Sequence, residues 1–406
     1  MFNIVVSLTS TANRFSTLFI LVTALCITTS CHNNKATQNV VKTDSTQYIQ
    51  LPEPTAISAK ERNYILSQSQ EWYNKFLRNS GFNGGMIVAK NGNIIFERYN
   101  GIAHLFGKDT VTENTPMHVA SISKTFTGMA ILKLWQDGKL NLDDSLTKYF
   151  PGFNYPGVTI RTLLDHRSGL PNYLYFMEDL GWDKSVFVRN NDVLTQMINR
   201  KSEIKGCSAC NTHYEYSNTN FVLLALIIEK ITGKTLPEYL KETFFVPLQM
   251  KNTFIYTDAD SAKATTSYDG WGKPFKFDFL DKTYGDKNVF TTPRDLLLWD
   301  RALYSGKIFK PETLQEAYKP YSNEHPGIKN YGLAWHMYLF PNGQKIIYHN
   351  GRWHGSNAVF TRIIQDSATI IVIGNRYDRN IYRAKELASV FGNYGEDDNE
   401  EGEGGR

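Results

Sequence analysis

Ser121-Ile122-Ser123-Lys124-Thr125-Phe126-Thr127-Gly128-Met129-Ala130-Ile131-Leu132-Lys133-Leu134-Trp135 reads as a helix meant for a protein interior. Phe126, Met129, Ala130, Ile131, Leu132, Leu134 and Trp135 take up most of its circumference, the pattern of a buried helix. Two polar residues stand at its head. Residues three apart on a helix are neighbours, so Ser121 and Lys124 are expected to meet at its N-terminus. Burial disfavours the ammonium form, which lowers the lysine pKa and lets Lys124 act as a base. A helix N-terminus favours negative charge developing nearby. Both effects activate a serine that is otherwise a poor nucleophile.

Outward from this helix, both ends of the chain read as strands. Met86–Lys90 and Asn93–Tyr99 flank Asn91-Gly92, a strong two-residue hairpin signal. Lys345–Tyr348, Ala358–Ile364 and Ala368–Ile373 read as a meander, with Asp366-Ser367 supplying one turn. Ala59–Asn79 places Ile65, Trp72, Phe76 and Leu77 at helical spacing, and Ile381–Phe391 is also helix-like. The reading is an α+β fold, with an antiparallel sheet of about five strands built from N- and C-terminal segments and flanked by helices. A mainly helical part is inserted, and a cleft lies between the two. The expected bounds are 59–120 and 336–391 for the sheet-bearing part and 121–335 for the helical part.

A chain of 406 residues, 41% hydrophobic and 21% charged, is globular and long enough for a large core. Its net charge is +4, and no block of Lys and Arg is dense enough to suggest a nucleic-acid partner. Residues 392–406 form an acidic, Gly-rich tail expected to be disordered. Near the start, Arg14 precedes the apolar run Phe15–Ile27, which is short for a membrane span and fits a secretory signal over residues 1–30. Thr28-Thr29-Ser30-Cys31 resembles a bacterial lipoprotein cleavage site, with Thr28 where Leu is usual. Export to the cell envelope follows, with Cys31 as the lipidation candidate and residues 31–58 as a flexible tether. Cys207 and Cys210 form a C-x-x-C. In an exported chain a local disulfide is the expected reading, with a redox pair as the alternative; nothing completes a zinc site, and no metal is expected.

Three stretches match S-x-x-K: Ser121–Lys124, Ser145–Lys148 and Ser202–Lys205. Ordinary usage of Ser and Lys supplies about one or two such matches by chance, so context must choose. Ser145 and Ser202 stand in polar, surface-like runs; Ser121 alone opens a buried helix. Tyr216-Ser217-Asn218 is a second element: two apart in extended chain, Tyr216 and Asn218 can face one way. A phenol beside a lysine can pass the proton from Ser121 to a leaving group, and the Asn218 amide can hold Lys124 and a substrate carbonyl. Alone, Y-x-N is weak, and a buried turn tyrosine is its bland reading. His349-Asn350-Gly351 ends a strand, which makes His349 a substrate-binding candidate, although alone H-x-G proves nothing and a turn histidine is its bland reading. Gly351 lets a substrate approach the backbone, and the Arg352 amide can pair with that of Ser121 as an oxyanion hole. His166 and Ser168 read as turn-holding residues; Arg352 is a candidate for binding a substrate carboxylate, with a side chain that simply faces solvent as its bland reading. No G-x-S-x-G or H-E-x-x-H is present.

S-x-x-K, then Y-x-N, then H-x-G near the C-terminal strands together resemble the class C β-lactamase-related serine hydrolases, a group that includes D-Ala-D-Ala carboxypeptidases, D-aminopeptidases and esterases. Leu163-Leu164-Asp165-His166-Arg167-Ser168-Gly169-Leu170-Pro171, Tyr216–Gly233, Thr291–Leu296 and Tyr331–Trp335 are similar to further segments of that family. The likeness covers roughly residues 60–391. It implies a penicillin-recognising fold, no cofactor, Ser121 as nucleophile, Lys124 and Tyr216 as proton handlers and Asn218 as a positioning residue. His349 stands where true β-lactamases carry the lysine of K-T-G. A histidine is mostly neutral at pH 7, so weak β-lactam hydrolysis is expected. Ala209-Cys210-Asn211 departs from the Pro-Pro-Gly of many members. The implied activity is hydrolysis of small esters or D-amino-acid peptides. The rival is a non-catalytic lipoprotein that keeps the fold to bind cell-wall peptides.

Overall fold

The computed structural model describes residues 48–104 and 109–395. The expected signal segment, Cys31, the first part of the tether and the acidic run from residue 396 lie outside the described residues.

The strands are β1 (Gly84–Lys90), β2 (Asn93–Asn100), β3 (Met117–His118), β4 (Phe254–Ile255), β5 (Val289–Thr291), β6 (Lys329–Tyr331), β7 (His336–Leu339), β8 (Lys345–Trp353), β9 (Ser356–Ile363) and β10 (Ala368–Gly374). The helices are α1 (Ala59–Phe76), α2 (Ser123–Gln136), α3 (Ile160–Leu164), α4 (Tyr173–Asp179), α5 (Asn190–Asn199), α6 (Asn218–Thr232), α7 (Leu236–Leu240), α8 (Pro293–Tyr304) and α9 (Pro311–Ala317).

The main sheet is antiparallel throughout and runs β2-β1-β10-β9-β8-β7-β6. The first strands therefore pair with the last, as the two apolar ends of the sequence require. The Asn91-Gly92 hairpin forms with both residues at positive φ, 53° and 77°. Alternation assigns each face. Met86, Val88, Ile370 and Val372 pack with Ile65 and Trp72 of α1 and with the C-terminal Ile381 and Leu387. Ile87, Ile371, Ile373 and Phe360 join the larger core under the helices. The sheet has seven strands rather than about five. The two extra strands, β6 and β7, are three and four residues long, too short to show alternation. The turn between them needs Ala334 at φ 69°.

Three further expectations are corrected. Residues 48–58 do not hang free: the Ile49 amide donates to Pro247 O at 2.8 Å, the Thr55 amide to Asn91 O at 3.2 Å, and Arg301 holds Pro52 O at 2.7 Å. Their partly apolar side chains Ile49 and Leu51 lie against the core, which is what anchors them. The stretch expected to be helical near the C-terminus is a run of 3-10 turns over Arg379–Val390. The middle of the chain also contributes β4 and β5, which join β3 in a small second sheet. That sheet matters because β3 delivers the chain to Ser121.

Candidate active site

From β3 the chain is pinned by the Val119 amide donating to Val289 O at 3.0 Å. Ala120 then takes φ 46°, a left-handed conformation that costs a residue with a Cβ roughly 1–2 kcal/mol. Ser121 sits on the 3-10 turn Ala120–Ile122, and α2 proper begins at Ser123. The tighter turn differs from the helix expected there, yet it stacks i over i+3 even more directly. Ser123 Oγ accepts the Val289 amide at 3.0 Å, locking the turn to β5.

Lys124 has no solvent exposure. Its Nζ lies 3.0 Å from Ser121 Oγ, 2.7 Å from Asn218 Oδ1 and 2.9 Å from the carbonyl oxygen of Asp286. Burial drives its pKa down to about 7; the Asp286 carboxylate opposes that fall and the Lys287 ammonium adds to it. A neutral amine has two N–H bonds and one lone pair. Asn218 Oδ1 and Asp286 O can only accept, so they take the two N–H bonds, and the lone pair is left for the Ser121 hydroxyl. Tyr216 OH reaches the same Oγ from the other side, at 2.9 Å. Four residues named from sequence therefore converge on one oxygen or on its base. Such a cluster can take a proton from Ser121 and return it to a leaving group.

Tyr216 and Asn218 are held by the segment His166–Pro171. His166 Nδ1 accepts the Ser217 amide at 3.2 Å and faces the Asn220 amide group at 3.1 Å. Its ring lies 4.2 Å from that of Tyr216. Ser168 Oγ donates to Asn220 Oδ1 at 2.6 Å, and Thr219 Oγ1 to Pro171 O at 2.6 Å. Ser217, extended at φ −134°, stands at the N-cap position of α6 and carries Asn218 to the helix start, so the two-residue spacing puts both side chains at Lys124. The other S-x-x-K matches are exposed, and Lys148 pairs with Asp144 at 2.8 Å.

The H-x-G element divides. Gly351 lies against the Ser121 turn so closely that a Cβ there would stand 2.1 Å from Val119 O. Arg352 lines the cleft, with its guanidinium 5.4 Å from the Tyr377 ring. His349 does not line the cleft. It is buried, with Nδ1 2.7 Å from Asn350 O and its ring 4.8 Å from that of His336. Burial, then the neighbouring His336 and Lys124, push its pKa well below the ordinary value, so it is neutral.

The cleft encloses about 840 Å³ and is lined by Ser121, Tyr216, Asn218, Asp286, Lys287 and Arg352, among others. Asp286 and Lys287 went unread in the sequence. The only hint was their position just before the family-like Thr291–Leu296 segment. Asp278, Asp281 and His354 place donor atoms within 4.8 Å of one another. Asp281 already accepts from Trp353 Nε1 at 2.6 Å and faces His354 Nε2 at 3.1 Å, the pattern of a carboxylate–imidazole pair. The expected disulfide is absent: Cys207 and Cys210 are free thiols. Cys210 Sγ is turned to Gly157 O, 3.2 Å away, instead. Asn211, at φ 62°, takes the left-handed conformation that a glycine would take without cost.

The chain matches the family model described as Beta-lactamase over residues 72–390. Penicillin-binding protein 4* of Bacillus subtilis (strain 168) is 30% identical over 327 residues, covering 75% of this chain and 72% of that protein. Protein flp of Staphylococcus aureus (strain MW2) is 28% identical over 305 residues, which span 71% of this chain and 59% of that one. A penicillin-binding protein from Bacillus halodurans shares the fold at TM-score 0.67 and 22% identity, over 78% of this chain and 98% of that one. The D-amino acid amidase from Ochrobactrum anthropi SV3, complexed with L-phenylalanine, does so at 0.64 and 21%, over 82% and 97%. With an α+β fold of seven antiparallel strands and this match over most of its length, the chain belongs to the Beta-lactamase family of penicillin-recognising serine hydrolases.

Proposed function

We propose that this protein hydrolyses small esters or D-amino-acid amides and peptides through an acyl-enzyme on Ser121, in the manner of the class C-related branch of its family. The observation that carries the proposal is Ser121 Oγ held between Lys124 Nζ at 3.0 Å and Tyr216 OH at 2.9 Å. Lys124 takes the hydroxyl proton as Oγ bonds to the substrate carbonyl carbon. The amides of Ser121 and Arg352 receive the oxyanion. The carbonyl–leaving-group bond then breaks, and the proton passes through Tyr216 to the departing amine or alcohol. Water repeats the sequence on the acyl-enzyme and frees Ser121.

Two findings support the substrate class. His349 is neutral and buried, so the position of the β-lactamase lysine offers no fixed positive charge for a β-lactam carboxylate, which favours esters and D-amino-acid substrates over β-lactams. A structure with this fold is a D-amino acid amidase. We place the protein in the cell envelope, attached through Cys31, on the Arg14–Cys31 segment of the sequence. Hydrolysis of p-nitrophenyl acetate and D-phenylalanine amide by the wild type and Ser121→Ala is the test. Turnover that vanishes in the variant supports the proposal. Equal rates in both overturn it, and an inert wild type favours the binding-protein alternative.

A further inference from the structure

A second lysine stands behind the first. Lys287 has 3% exposure, and Asp286 before it 1%. Lys287 Nζ donates to Tyr173 OH, to Thr283 Oγ1 at 2.6 Å and to Asp286 Oδ2 at 3.4 Å. Three N–H donors thus meet three oxygens, which suits a full ammonium. Tyr173 OH in turn donates to Asp286 Oδ2 at 2.9 Å. The Lys287 ammonium also lies 4.7 Å from the Trp353 ring and 5.0 Å from the Tyr173 ring. Asp286 Oδ1 is buried with no hydrogen-bond partner among the described residues. A buried ion pair is expensive to desolvate and is weak evidence for stability, so its place calls for another reason.

That reason lies one peptide away. The backbone carbonyl of Asp286 is one of the two acceptors that orient Lys124, at 2.9 Å. The pair thus touches the base through its main chain, and the same two residues carry one negative and one positive side chain bonded to each other. We infer that Asp286 and Lys287 are positioning residues that act through Lys124: the Asp286 carbonyl orients the amine, and the opposite charges of the two side chains set how readily it accepts the Ser121 proton. The inference rests on the acyl-enzyme reading above. Nothing in it requires either residue to touch substrate.

The rest of the surroundings cannot supply the balance. On the α6 side Lys124 meets the neutral Asn218 and the Phe221 ring, and the Tyr216 hydroxyl sits on Ser121 Oγ. His166 and His349 are held well below the ordinary imidazole pKa by burial, so they add no charge, and His336 completes that cluster. On the far side of Lys287, Asp278, Asp281, His354 and His118 interact with it or with one another across the cleft wall. Burial pushes His118 down to about 4, and Asp281 and His354 are paired at 3.1 Å, so on this wall Asp286 is the charged residue whose main chain touches the base.

The test is the pH dependence of kcat/KM for p-nitrophenyl acetate in Asp286→Asn, Lys287→Met and the double variant. Removing one charge of such a pair, like or opposite, is expected to move the pKa of the neighbouring amine by about one unit. Without the ammonium, Lys124 holds its proton more tightly, so Lys287→Met moves the acid limb up by about one pH unit. Without the carboxylate it lets go sooner, so Asp286→Asn moves the limb down. The double variant, again charge-balanced, returns close to the wild type. The limb position does not depend on how much enzyme is folded; where one single variant fails to fold, the other single variant against the double still decides. Limbs that stay put, or that move in the same direction, overturn the inference. Ser121→Ala, assayed alongside, separates the failures: if it keeps activity the acyl-enzyme reading is wrong, and if it is dead while the limbs stay put only the role of the pair is wrong.

Discussion

Gly351→Ala probes the closest backbone contact of the site. Gly351 is not in the left-handed region, so an alanine there meets a problem of space rather than of conformation. Its Cβ would lie 2.1 Å from Val119 O, 3.0 Å from Val119 C and 3.3 Å from Ala120 Cβ. All three atoms belong to the two residues that carry Ser121, and none is the far end of a flexible side chain. Restoring an ordinary contact moves β8 and the Ser121 turn apart by about 1 Å, and a misplacement of that size costs on the order of 100-fold in rate. A hundredfold loss corresponds to about 2.7 kcal/mol in the barrier. Overpacking also lowers stability by about 1–3 kcal/mol, so Tm falls as well. The assay is kcat/KM for p-nitrophenyl acetate on protein shown to be folded by circular dichroism, with Gly395→Ala as control, since a Cβ there meets nothing within 4 Å. Wild-type kcat/KM in Gly351→Ala would refute the close coupling of β8 to the nucleophile turn.

Tyr216→Phe keeps the ring against His166 but loses the hydroxyl 2.9 Å from Ser121 Oγ; kcat is expected to fall by about 10²- to 10⁴-fold with KM little changed, measured by steady-state kinetics. The folded pKa of Lys124, about 7, lies below its unfolded value, so the unfolded chain binds the extra proton between about 7 and 10.5. Relative to Lys124→Met, the wild type therefore gains stability as pH rises through that window, and paired Tm measurements at pH 7 and pH 9.5 should show the gap between the two proteins moving in its favour. Cys207 is a free, exposed thiol, so Cys207→Ser shifts stability by less than about 0.5 kcal/mol; a larger loss of Tm would point to the disulfide instead.

The parts of this molecule that were legible in the sequence depend on short-range spacing. Ser121 and Lys124 are three residues apart, Tyr216 and Asn218 two, and each spacing fixes a shared direction once the local backbone is known. The hairpin at Asn91-Gly92 and the long apolar strands β9 and β10 declare themselves in the same way. What stayed hidden depends on distant packing. Asp286 and Lys287 look like an ordinary charged pair until Tyr173 and Thr283 close over them. His349 follows the apolar strand register of β8 and so ends buried, although H-x-G suggested a group facing substrate. Strands β6 and β7 form only because β8 offers an edge to pair with. The fate of the C-x-x-C turns on whether Cys210 faces Cys207 or Gly157, which spacing does not specify.

The central claim is that Ser121 is the residue acylated. Intact-protein and peptide mass spectrometry after reaction with a p-nitrophenyl phosphonate ester tests it most directly, because the phosphonyl group stays on the attacking oxygen. The account predicts one phosphonyl group per chain, on the peptide that contains Ser121, with loss of esterase activity in proportion and no labelling of Ser121→Ala. Labelling at another residue, or an active enzyme left unlabelled, would contradict it.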